Sequence, residues 1–170
     1  NTMAKKIYEA CRRLLTTCAN CQPNENILIV TDTDSLEIGM ALWDAAEEFP
    51  KKTMVMMEPR KMHGEEPTPL VAAAMLKADV IFRATKFSLS HSHARRDACA
   101  AGARDLNCCD YSIEMLEKGG LYTDFEADRK YVDQLLKSMA NGDQVHITSE
   151  AGTDYYASIK GHKLFPQYGM

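Results

Sequence analysis

Three short apolar runs, each followed by a polar loop and a helical signal, constrain this chain more than any other feature. They are ILIV (27–30), TMVMM (53–57) and DVIFRAT (79–85). ILIV is a continuous β-branched run and reads as a buried parallel strand, and the other two segments repeat the strand–helix unit. The segments between them have the signals of crossover helices. Thr31-Asp32-Thr33-Asp34-Ser35 is rich in residues that cap helices and opens one from about Leu36 to Glu48. Gly39 inside that helix marks close packing on the sheet. Thr68-Pro69 opens an alanine-rich helix over 70–77, with proline at the favoured first position. FSLSHSHARRDACAAGAR (87–104) supplies the next helix, and a weaker strand follows over 106–109.

The flanks complete the pattern. Ile7, Cys11, Leu14, Leu15 and Cys18 recur at helical spacing and predict an N-terminal helix. Ser112 caps a short helix ending at Gly119-Gly120, and Val132, Leu135, Leu136 and Met139 stripe another. QVHIT (144–148) and DYYASI (154–159) are joined by a short turn and read as an antiparallel hairpin. The fold class expected is α/β: a three-layer sandwich with a mostly parallel sheet, ending in an antiparallel hairpin that would begin a second domain. The expected division is 1–143 and 144–170.

Charge and cysteine usage narrow the partners. The 170 residues carry 20 Lys+Arg against 24 Asp+Glu, a net charge of -4, with no basic run. That balance argues against nucleic acid or an anionic membrane surface as a partner. No apolar run approaches a membrane span, and NTMAKKIYEACRRLL has no signal core, so a cytoplasmic protein is expected. The six cysteines show no disulfide-framework spacing. Cys18-Ala-Asn-Cys21 closes a helix and precedes a strand, the reverse of a redox motif, and reads as packing.

In open α/β sheets, ligands bind beyond the carboxyl ends of the strands. Asp32 and Ser35 follow the first strand, Glu58, Arg60, His63 and Glu65 the second. Ser88, Ser90, His91 and His93 follow the third, and Asp110 the fourth. All should lie along one edge. Asp32, His63, Ser88, Ser90 and Arg104 are the candidates for binding a substrate, and Arg104 could also brace the loops against Asp32 or Asp34. The competing reading is that such loops are polar because they are wet and cap helices. His91 and His93 lack the further donors a metal site needs, and His93 is expected to pair with Asp97 on its own helix. No dinucleotide, phosphate-loop, nucleophile-elbow or H-E-x-x-H motif is present.

VTD, MEPRKMHGEEP, SLSHSHARRDACAAGAR and ITSEAGTD occur in that order. Together they resemble the N-terminal part of the aminopeptidase T family of metallo-aminopeptidases, to which the ring-opening dioxygenase of dihydroxypyridine is similar. The resemblance implies the N-terminal domain of a metal-dependent aminopeptidase that shapes the cleft for a peptide or small-molecule substrate and contributes to a homodimer. Its divalent zinc or cobalt would be held in a C-terminal domain and by no residue of this chain, since the family runs to roughly twice this length. The chain would then be a piece of a longer protein or a naturally short relative, inactive alone. By resemblance to the dioxygenase, His91 is the candidate for proton transfer. Two alternatives stand beside this reading: a domain of a mononuclear iron ring-opening dioxygenase, and a free-standing α/β module that binds a small ligand.

Overall fold

The computed structural model describes residues 2–166 and 168. It divides into two compact units, Asn1–Tyr122 and Thr123–Met170. The first contains a four-stranded sheet in the order β2-β1-β3-β4, with β1 Ile27–Asp32, β2 Lys52–Met57, β3 Val80–Ala84 and β4 Arg104–Asn107. Every neighbouring pair is parallel. β1 and β3 are buried along their whole length, as their mainly apolar sequences favour, and the burial extends to Asp32 and Arg83. β2 and β4 are the sheet edges and are only partly covered.

Alternate residues of the central strands feed two cores, which makes the three layers. Ile27, Ile29, Val80 and Phe82 face one cluster with Ala10, Cys11 and Leu14 of α1 (Thr2–Arg13) and its end, and Ile38 and Leu42 of α2 (Leu36–Ala45). Leu116 of α5 (Ile113–Lys118) joins them. Leu28, Val30 and Ile81 face the other cluster, with Val71 and Met75 of α3 (Pro69–Met75) and Ala94 and Ala98 of α4 (His93–Ala100). The small-residue face of α4 is what lets it lie close to the sheet.

Several local expectations hold with altered boundaries. α1 does not run regularly to Cys18; its last stretch, Leu14–Cys18, is π-helical. β4 starts at Arg104, two residues before the apolar signal. Gly39 packs on β1 as expected: a Cβ there would come within 2.9 Å of the Thr31 hydroxyl. The second unit consists of α6 (Phe125–Met139), capped by Asp124, and the antiparallel pair β5 (Gln144–Thr148) and β6 (Asp154–Ser158).

Candidate functional site

The strand order reverses between β1 and β3. β2 lies on one side of β1, and the chain crosses back to place β3 and then β4 on the other. Loops that leave such a point diverge and open a crevice beyond the strand ends. Asp32 ends β1 there and is fully buried. Its Oδ1 accepts from the Ser35 N–H at 2.9 Å and its Oδ2 from the Lys86 N–H at 2.7 Å. One carboxylate therefore ties the loop after β1 to the loop after β3.

The other loops join by equally specific contacts. Lys86 Nζ donates to Asp110 Oδ1 at 2.7 Å, linking the loops after β3 and β4. That hydrogen bond holds the Asp110 carboxyl below its ordinary value and the Lys86 ammonium above its own. Asp110 takes a left-handed backbone, φ 55, which aspartate tolerates better than most residues. The Ser88 N–H donates to His63 Nδ1 at 3.0 Å, and the Gly64 N–H donates to the Ser88 carbonyl at 2.7 Å. The His63 ring meets the Phe87 ring edge-on, 5.3 Å between centroids. His91 is exposed and lies beside Gly64, where a Cβ would stand 3.5 Å from the His91 Cβ. Asp32, His63, Ser88, Ser90, His91 and Asp110 therefore share one end of the sheet.

Helix α4 begins at this edge with its first amides occupied. The Ser92 hydroxyl accepts from the Arg95 N–H, and Glu66 from the preceding loop accepts from the N–H groups of His93 and Ala94. The His93 amide is the main reason the Glu66 carboxyl sits below its ordinary value, with Ala94 contributing less. His93 does not pair with Asp97. Its Nδ1 meets the Arg96 guanidinium, and Arg96 reaches Asp97 at 3.8 Å. A ring turned toward a guanidinium is poorly placed for a second cation. Among the described residues, no three of His, Cys, Asp and Glu come together in a way that could hold a metal ion.

Arg104, expected among the substrate-binding residues, instead stands at the opposite end of the sheet, away from the other candidates. It opens β4 opposite Val80, the first residue of β3. It forms a fork with Glu25, 2.9 and 2.7 Å, and donates to the Ala19 carbonyl, so it braces the loop before β1. The expected fork exists; its partner is Glu25 instead of Asp32 or Asp34. The sequence reading also missed a buried ion pair. Arg83 in β3 and Asp105 in β4 form a bidentate bridge at 2.6 and 2.8 Å, with side chains 1% and 2% exposed. Arg95 adds a third contact to Asp105 at 3.0 Å. The signal was present: an arginine inside an otherwise apolar buried strand needs an acidic partner, and the neighbouring strand carries one.

A family model described as NicX, 2,5-dihydroxypyridine 5,6-dioxygenase, matches residues 6–170. The solved structure of 2,5-dihydroxypyridine dioxygenase from Pseudomonas putida KT2440 is similar at a TM-score of 0.70 and 16% identity, covering 91% of this chain and 47% of that one. The chain thus spans about half the length of that structure. No curated protein matches. The family match overturns the aminopeptidase, hydrolase and protease reading, and the zinc or cobalt that came with it. The reason is visible in the motifs that carried the resemblance. Ser92 caps α4, Ala94 and Ala98 pack it on the sheet, and Gly102 turns the chain with φ 108. Glu66 holds α4, and Gly152 with φ 101 turns the hairpin. These residues build a scaffold, and a scaffold supports more than one chemistry.

Proposed function

The chain belongs to the NicX family, 2,5-dihydroxypyridine 5,6-dioxygenase, and on that premise we propose that it supplies the substrate-facing part of a ring-opening dioxygenase for a dihydroxylated pyridine. The observation that carries this reading is the convergence of His63, His91, Ser88 and Ser90 at the switch point of the sheet, against the ring of Phe87. A flat ring with two hydroxyls and a ring nitrogen needs polar groups in its plane and an apolar wall beside it. His91, exposed beside Gly64, is the group to take a proton from a ring hydroxyl. His63 has Nδ1 engaged as an acceptor, keeps its proton on Nε2, and is the donor. The resident metal we assign to the reaction is iron. The donors at this edge do not fit it, so its ligands come from residues other than these.

The partner proposed is accordingly a small aromatic molecule, and the compartment the cytoplasm. Among the described residues no helix is long and apolar enough to cross a membrane. Ring opening by the iron-loaded enzyme tests the assignment. His91→Ala should lower kcat by roughly 10²- to 10⁴-fold with iron content unchanged, the range a positioned acid or base contributes. His93→Ala, whose ring is turned to Arg96, should change kcat little. Wild-type kcat in the His91→Ala enzyme would sink the proposal.

A further inference from the structure

We propose that Arg83, buried beneath the site, is a positioning residue that fixes the tautomer and setting of His63 through the hydroxyl pair Ser90–Ser88. The inference rests on the reading of this sheet edge as the substrate side. Arg83 is flanked in β3 by Val80, Ile81, Phe82 and Ala84, all buried. Stability alone would favour an aliphatic residue in such a strand, since exchanging a buried ion pair for apolar side chains is often neutral or better. Among the described residues, nothing pairs with the buried Arg83 Nη1.

What the guanidinium does reach is the loop. Arg83 Nη2 donates to Ser90 Oγ at 3.2 Å, and Ser88 Oγ lies 2.8 Å from the same oxygen. The Ser90 N–H returns a bond to Ser88 Oγ at 3.1 Å. Guanidinium can only donate, so the charge sets the direction of the hydroxyl chain, with Ser90 oxygen as acceptor. Asp105 holds Arg83 in place by its two-bonded fork, and its Oδ2 also accepts from Arg95 Nε, a contact the fork does not depend on. Ser88, fixed in this way, aims its N–H at His63 Nδ1. A backbone N–H can only donate, so Nδ1 is unprotonated and the ring proton resides on Nε2. Arg83 thus acts on the site without touching its ligand.

The test uses the chain labelled with ¹⁵N-histidine, whose ring nitrogens report their tautomers without substrate, iron or turnover. In the wild-type chain His63 should hold the Nε2–H tautomer by about tenfold, the preference one hydrogen bond of ordinary net strength imposes. Ser90→Ala and Arg83→Lys should reduce that preference to within roughly threefold of parity. Arg95→Ala, which also loses a contact to Asp105 but none to Ser90, should leave His63 as it was. If Arg83→Lys fails to fold, Ser90→Ala still decides, because it removes one partly buried hydroxyl and leaves the bond from Gly64 to Ser88 in place. A folded Ser90→Ala chain with an unchanged His63 signature would overturn the inference. The dioxygenase reading fails separately, by absence of any response to 2,5-dihydroxypyridine, and such a failure would leave the tautomer result as it stands.

Discussion

Asp32 shows how a single residue can look like a ligand contact in sequence and act as a brace in the fold. An aspartate at the carboxyl end of a buried strand is a standard place for chemistry, yet both oxygens here accept backbone N–H groups from different loops. Asp32→Asn replaces one acceptor by an amide that faces a donor. The cost expected is about 1–3 kcal/mol, the penalty for leaving a buried polar group unsatisfied. A urea midpoint unchanged from wild type would contradict this role. Charged partners were the least legible feature of the sequence. Arg83, Arg95 and Arg104 all find carboxylates on other elements, Asp105 or Glu25, and nothing in local spacing says which. His93 and Asp97 met the i,i+4 rule and still did not pair, because Arg96 stands between them.

Elements were easier to read than partners. The apolar run of β1 and the mostly apolar run of β3 announced strands of the sheet, and capping residues announced α3, α4 and α5. Boundaries shifted where local signals are weak: β4 begins on two charged residues, and α6 starts at Phe125, well before its apolar stripe. Gly39 was legible because a glycine inside an otherwise strong helix calls for a packing reason. Gly39→Ala should gain helix propensity of up to about 1 kcal/mol. It should lose more, because the new methyl meets the short, buried Thr31 side chain at 2.9–3.0 Å. A net loss of roughly 1–3 kcal/mol is expected, typical of overpacking. A higher thermal midpoint for Gly39→Ala would show that α2 can lift off β1 at no cost.

At the scale of the whole molecule, four carboxylates outside the core each make a modest link between loops or elements. Glu25 is lowered by Arg104, Glu66 by the His93 amide, Asp79 by the Asn26 amide and Asp110 by Lys86. Their folded values lie below the unfolded ones, 4.5 for Glu and 3.8 for Asp. Each therefore contributes stability that is complete above its unfolded value and lost as pH falls through the folded one. The thermal midpoint should be level above about pH 5 and decline steadily below about pH 4; a midpoint that rises on acidification would contradict the pairings. Sequence reasoning found the layered sheet and the edge that gathers His63, Ser88, Ser90 and His91. It could not choose the chemistry, because the motifs it used are the ones that cap helices and turn loops. The central claim is that this edge receives a dihydroxylated pyridine. Titrating 2,5-dihydroxypyridine into the ¹⁵N-histidine-labelled chain tests it most directly. The account predicts saturable shifts at His63 and His91, absent at His146 and His162 and abolished by His91→Ala; no saturable shift, or one confined to His146 and His162, would contradict it.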